Sequence, residues 1–473
     1  MSETTKSSTI EVQHVDVIDP ANRHGRARDL FPVWFSANLN VGNAFFGALA
    51  VVVGNNFFWA LVAVLLGNIA GGVFMALHSI QGAKLGVPQL IQSRGQFGFY
   101  GAMLPVALAA FLYLGFFATT AVIGGQALTA AAPGIDLSLA IIIVALLSLG
   151  LSLIGYRAIH VAARWAMWPL AITVVVVTAA SALHGGIEFT IADFAPGPFF
   201  TAFGLIATFL LTYAPYVSDY SRYLPVETKA TAAFNWTFAG AFLGTFWTQL
   251  LGVALAIQFD PNDTMASIGD LFGGGWVVAL ILVVTAVAIG GNNALNLYGG
   301  MLNLITAATS FVKVAASKKV RILMLLPTFA LGILIALTAS ADFSANVSNF
   351  LSFLLLGFVP WGAINLIDYY WVREGRYDVA AFFEPRGAYY NDPATWTRNG
   401  FNWQALLSYF IGFAAALPFV NNGWFQGFAA PLLGHADLSW IPGLIVTGVV
   451  YLLITRRNPR RAGTAEHVAE VSR

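Results

Sequence analysis

A helix that crosses a ~30 Å hydrocarbon layer needs roughly 20 mostly apolar residues. Read with that window, the chain divides into about twelve continuously hydrophobic segments separated by polar stretches. They lie near 31–53, 57–82, 101–128, 136–155, 162–183, 199–218, 233–257, 275–302, 320–340, 347–371, 405–421 and 440–455. Apolar residues run uninterrupted in these segments, whereas the strands of a membrane β-barrel alternate, so a barrel is excluded. The pattern predicts an all-α integral membrane protein with about twelve transmembrane helices. Its expected divisions are an N-terminal tail (1–30), a ten-helix core (31–372), a polar, aromatic-rich loop (373–404), two further helices (405–456) and a C-terminal tail (457–473). The loop reads as a linker or an intracellular plug.

Composition sharpens this. Of 473 residues, 58% are hydrophobic and only 10% are charged, against about 25% charged in soluble proteins. There is no cysteine, which removes disulfides, thiolate metal sites and cysteine nucleophiles. The net charge of +1 points to no nucleic-acid partner. If both termini face the cytoplasm, all 23 Lys and Arg fall on inner segments, while the outer loops carry Asp136, Glu188, Asp193, Asp260, Asp263, Asp270, Asp342 and Asp437. This distribution obeys the positive-inside bias and predicts a multi-pass protein of the plasma membrane with both ends cytoplasmic. The polar N-terminal stretch has no apolar core of a signal peptide. Neither a Walker-type phosphate loop nor an HExxH-type metal spacing is present, which disfavours a primary pump and a metalloenzyme.

Polar residues inside spans mark candidate function, because they are costly in lipid. The first span reads FSANLNVGNAFFGAL, with Asn38, Asn40, Asn43, Gly42 and Gly47 at its centre. A break there frees backbone groups for a ligand or cation; the alternative is interhelical amide bonding with close glycine packing. In the sixth span, Pro215 interrupts the helix among Thr212, Tyr213 and Tyr216, and Asp219 and Arg222 follow at pairing distance along the chain. Spans one and six correspond if the core is two five-helix repeats (31–183 and 199–372), and matched interruptions point to a transporter's binding site. The eighth span reads AVAIGGNNALNLYGG. Asn292 and Asn296 share a face there, while Asn293 is rotated by about 100°. Paired amides suit the edge of a flat heterocycle, or a polar zipper to a neighbouring helix. In the third span, Tyr113, Phe116 and Phe117 could sandwich a planar ligand or simply add apolar bulk.

GAKLGVPQLIQSRGQFGFYGA (82–102), TYAPYVSDYSRYLP in span six and GNNALNLYGG in span eight resemble the nucleobase:cation symporter family of cytosine/purine, uracil, thiamine and allantoin permeases, and its cytosine–purine branch in particular. The resemblance runs from about Arg28 to Asn402. It implies a leucine-transporter-type fold of two inverted five-helix repeats plus two extra helices, with substrate between spans one, three, six and eight. By position, Asn292 and Asn296 correspond to the amides on the nucleobase edge and Phe116 to a stacking aromatic. Leu210, Thr212 and Tyr213 fall in the span-six stacking region, and Asn38 and Gly42 in the span-one break. Tyr113 stands where bacterial cytosine-type relatives carry Gln. Sodium-coupled relatives place hydroxyls ahead of the span-eight amides, where this chain has Ile289, Gly290 and Gly291. Loss of two oxygen ligands weakens a hard-cation site, which favours co-transported H+ over the alternative, Na+. Asp219, Arg222, Asn293 and Pro215 are the coupling or gating candidates.

The expectation is therefore a secondary active symporter, not an enzyme. It would act as a monomer in the bilayer, without an organic cofactor, importing cytosine or a purine. A sodium-coupled hydantoin, allantoin, uracil or vitamin permease is the alternative.

Overall fold

The computed structural model describes residues 17–311, 318–392 and 396–457, so much of the two predicted tails lies outside the described residues. The expected segments appear as helices. Span one is α1 (Leu30–Asn38) and α2 (Ala44–Val52), which meet at 68°. Span two is α3 (Phe57–Leu85), and a short helix not foreseen from hydropathy, α4 (Gln89–Phe97), follows it. Next come α5 (Met103–Ala131), α6 (Leu137–Ile154), α7 (Tyr156–His184), α8 (Pro196–Leu211) with α9 (Ala214–Ser221), and α10 (Ala230–Gln258). After the short α11 (Thr264–Leu271) come α12 (Trp276–Thr309), α13 (Lys318–Ala339), α14 (Phe343–Ile367), α15 (Trp403–Ala416) and α16 (Trp440–Arg457).

Eight helical stretches among the described residues are long and apolar enough to cross a membrane, nine with the bent pair. One of these, Lys319–Val372, has 54 residues, far more than one crossing at 1.5 Å per residue needs. It divides at Ser340–Asp342, where Asp342 (φ −134°, ψ 64°) leaves the helical region. With that division and the two shorter apolar helices, Trp403–Phe419 and Trp440–Thr455, the twelve expected segments are accounted for.

Glycines set the closest helix approaches. On α3, a Cβ at Gly67 or Gly71 would run into α8 at Ile206 and at the Ala207 carbonyl. On α10, a Cβ at Gly240 or Gly244 would meet the Phe31 and Phe35 carbonyls of α1, and at Gly252 the Ala44 carbonyl of α2. Small residues at i, i+4 let helix backbones touch where lipid supplies no hydrophobic drive. As a result α10 lies along span one, and α3 lies along span six. Other packed pairs include α3 with α10, α5 with α12, α6 with α12, α15 with α16, and α5 with α13.

The 373–404 loop is folded against the bundle. It contains a helical turn (Ala380–Phe383) and a two-residue-per-strand hairpin, Thr397–Arg398 with Phe401–Asn402. Phe382 is fully buried with Leu85, Val87 and Ile91 around α4. A plug describes it better than a linker.

Candidate substrate site

The two interrupted spans are unequal. Leu39 (φ −78°, ψ 68°) and Asn40 (φ −134°, ψ 126°) leave helical geometry, and the axis turns sharply. The asparagines hold this break. Asn40 Oδ1 accepts the Gly42 N–H at 2.9 Å, and Asn43 Nδ2 donates to the Asn38 carbonyl at 2.9 Å. Asn38 Nδ2 donates to the Trp34 carbonyl at 2.8 Å, while its Oδ1 is buried without a partner among the described residues. In span six, Thr212 (φ −65°, ψ −12°) and Tyr213 (φ −79°, ψ −20°) keep near-helical dihedrals. Pro215 therefore interrupts the hydrogen bonding there without the sharp turn of span one, and Pro196–Ser221 runs as one span. The expectation of two matching breaks is corrected to one sharp break and one shallow interruption.

Between these spans, α5 and α12 lies an aromatic box. Phe116 has ring centroids at 6.0 Å from Phe46, 6.2 Å from Phe209 and 5.4 Å from Phe350. Towards α9 the box continues with Tyr213, 5.9 Å from Phe209 and 5.5 Å from both Tyr216 and Trp34. Tyr113 and Tyr216 lie nearly parallel, 5.8 Å apart at 28°. Phe116, Tyr113, Tyr213 and Tyr216 are each only partly buried, so faces remain available for stacking.

α12 supplies the amides. Asn293, fully buried, donates to the Phe117 carbonyl of α5 at 3.0 Å, and Asn296 donates to Asn293 Oδ1 at 3.0 Å. One turn further along, Gly299 packs against the Tyr113 ring. Asn296 is thus tied through Asn293 to α5 and is partly exposed, with its Oδ1 outside these bonds. The structural pairing joins Asn296 to Asn293 rather than to Asn292, whose partly exposed side chain makes no hydrogen bond among the described residues. Gly42 completes the wall: a Cβ there would sit 3.3 Å from Ile289 Cδ1 of α12.

The structure therefore links Phe116, through Phe209, to Tyr213, Tyr216 and Tyr113 in one run of ring contacts, with Asn296 on the neighbouring α12 and Gly42 packed against Ile289 of that helix. Asn38 sits at the α1–α10 seam, where Thr248 Oγ1 donates to its carbonyl at 3.3 Å. Thr212 is turned back on its own helix, donating to the Phe209 carbonyl at 2.6 Å. Asp219 lies below, near Tyr113 and Tyr216, and its Oδ1 accepts the backbone N–H of Gln89 at 3.0 Å. Arg222 interacts electrostatically with Asp219 and packs over Tyr223 at 5.1 Å. Ahead of the amides, the Gly290 carbonyl accepts Ser148 Oγ at 2.7 Å and is already engaged. Sequence reasoning missed Phe46, Phe209, Phe350 and Trp34. An aromatic in an apolar span carries no signal until its neighbours are known.

Twelve helical segments with a broken first span make this a multi-pass helical bundle. The chain matches the family model "Permease for cytosine/purines, uracil, thiamine, allantoin" over residues 17–443, and it belongs to that family. It is 36% identical to the putative purine-cytosine permease YxlA of Bacillus subtilis, covering 98% of this chain and all of that one. The purine-cytosine permease fcyB of Emericella nidulans is 22% identical, over 89% of this chain and 83% of its own. In fold, the chain resembles Mhp1, a nucleobase-cation-symport-1 family transporter. The TM-score is 0.75 for the inward-facing conformation, at 19% identity over 98% of this chain and 96% of that one. It is 0.70 for the closed conformation with bromovinylhydantoin bound, also at 19% identity and covering 95% and 96%.

Proposed function

We propose that this permease is a secondary active symporter that imports a neutral planar nucleobase, cytosine or a purine, by alternating access. The observation that carries this reading is the run of partly exposed rings, Phe116, Tyr213, Tyr216 and Tyr113, beside the helix that bears the partly exposed Asn296 and packs its Gly299 on Tyr113. The rings offer stacking faces and the amide offers an edge, as a flat heterocycle with ring nitrogens and exocyclic groups requires. Relatives named purine-cytosine permeases support this substrate class.

The core is read as two repeats, 31–183 and 199–372. Exchanging span one with six and two with seven maps the pair α10–span one onto α3–span six. Exchanging three with eight and four with nine maps α6–α12 onto α13–α5. The glycine pairs Gly67/Gly71 and Gly240/Gly244 exchange in the same way. The charge distribution supports cytoplasmic ends, in keeping with a plasma-membrane location. Proton coupling is favoured over sodium by the aliphatic Ile289 facing the Gly42 break and by the Gly290 carbonyl already bound to Ser148.

The test is uptake of labelled cytosine, hypoxanthine, uracil and allantoin by cells expressing the protein, with pH and sodium gradients imposed separately. Uptake of cytosine or hypoxanthine driven by an inward proton gradient is expected. Transport confined to allantoin, or acceleration by sodium at fixed pH, would overturn the substrate or the coupling assignment respectively.

A further inference from the structure

Below the chamber, a chain of hydrogen bonds runs through the protein in one direction. Ser218 Oγ of α9 lies 2.5 Å from Gln89 Oε1 of α4 and 3.0 Å from the His78 carbonyl, sharing its one proton between them, and Gln89 Nε2 donates to Gln81 Oε1 of α3 at 3.2 Å. Gln81 Nε2 donates to Asn365 Oδ1 of α14 at 2.7 Å, and Asn365 Nδ2 to Gln96 Oε1 of α4 at 3.4 Å. Gln96 Nε2 then donates to Tyr377 Oη of the 373–404 loop at 3.1 Å, and Tyr377 Oη to Asp368 Oδ2 at 2.6 Å. Ser218, Gln89, Gln81, Asn365 and Gln96 are fully buried, and Asp368 is 1% exposed. Each amide uses its oxygen towards α9 and its nitrogen towards Asp368. Every bond polarises the next, and no link between the amides can part without leaving buried polar groups unpaired.

The chain begins on the shallowly interrupted half-helix that also carries Tyr216 and Asp219, and it ends on a loop that hydropathy marks only as polar. At the far end Asp368 also accepts Tyr451 Oη of α16 at 2.7 Å and pairs with Arg373 Nε at 3.3 Å, which anchors it. Asn402 Nδ2, from the loop's other end, donates to the Gln96 carbonyl. α4 is thereby clasped between span six and the loop.

We propose that this chain is the latch of the gate on the loop side of the chamber, with Gln89 and Tyr377 as positioning residues. Opening that gate separates α9 from α4, and the docked loop sets how readily it does so. The proposal rests on the alternating-access reading but not on the identity of the substrate.

The chain has no native cysteine, so one cysteine introduced as Ala214→Cys, at the buried start of α9 and outside the latch, reports directly. Its labelling by a charged thiol reagent is measured in membrane vesicles of both orientations, with and without Tyr377→Phe or Asn365→Leu. Loss of one buried bond is expected to raise labelling from the loop face by about fivefold. Labelling from the opposite face should fall, with binding of labelled cytosine retained. Unchanged labelling from the loop face in Tyr377→Phe, a single-oxygen deletion that preserves the ring, would overturn the latch. An equal rise from both faces would do so too, since it reports general loosening. Absence of labelled-cytosine binding, with the asymmetric labelling intact, would instead count against the substrate assignment alone.

Discussion

The chamber and the seam beneath it are built from the same residue types and differ in how far their polar groups are satisfied. In the chamber, Asn296 is partly exposed with one bond to Asn293, and Asn292 of the same helix makes none among the described residues. In the seam, Gln81, Gln89, Asn365 and Gln96 each donate and accept. Amides kept short of partners are those a ligand can complete. Amides fully paired with one another hold helices in place, and their cost appears only when the helices move.

The comparison breaks most visibly at the anchored end. Asp368→Ala leaves Arg373 buried without its carboxylate and should cost roughly 3–5 kcal/mol, read as lost folded protein on size-exclusion chromatography. Next comes the chamber amide. Asn296→Ala should lower uptake at limiting substrate by about tenfold or more while the folded yield holds, because the group removed serves the ligand more than the bundle. Phe116→Ala should weaken binding by about 1–3 kcal/mol and Phe116→Trp should preserve it, measured by competition. Gly42→Ala is milder: Ile289 Cδ1 and Asn40 Oδ1 at 3.3 and 3.4 Å must give way slightly, for a cost of about 1 kcal/mol.

The smallest effect is in pH. Burial, and then the charge of Asp368, hold the Tyr377 phenol well above its ordinary value of 10.0. A raised folded value means that its contribution is complete below the unfolded value and lost only as pH rises through the folded one. The melting-temperature difference between wild type and Tyr377→Phe should therefore be constant between about pH 7 and 9.

Much of this architecture was legible in the residues. Continuous apolar runs located the helices, and the family resemblance pointed to Phe116, Tyr113 and Tyr213, which lie in one run of ring contacts. The pairing of Asn296 with Asn293 was not legible, because helix periodicity ranks faces but does not say which neighbour lies against them. Nor was the shallow interruption at Thr212–Tyr213, since proline removes a hydrogen bond without dictating a bend. α4 escaped hydropathy altogether: its Gln89, Gln92, Ser93, Arg94 and Gln96 look like a surface loop yet are all buried. Their partners Asn365 and Tyr377 lie hundreds of residues away, and no local pattern encodes such a contact.

The central claim, that a flat base docks against Asn296 within the aromatic walls, is tested most directly by equilibrium binding of labelled cytosine and hypoxanthine to purified protein, wild type against Asn296→Ala. At least one of the two bases should bind the wild type, and the variant should lose about tenfold or more of that affinity while remaining monodisperse. Equal affinity in the two proteins would contradict the claim.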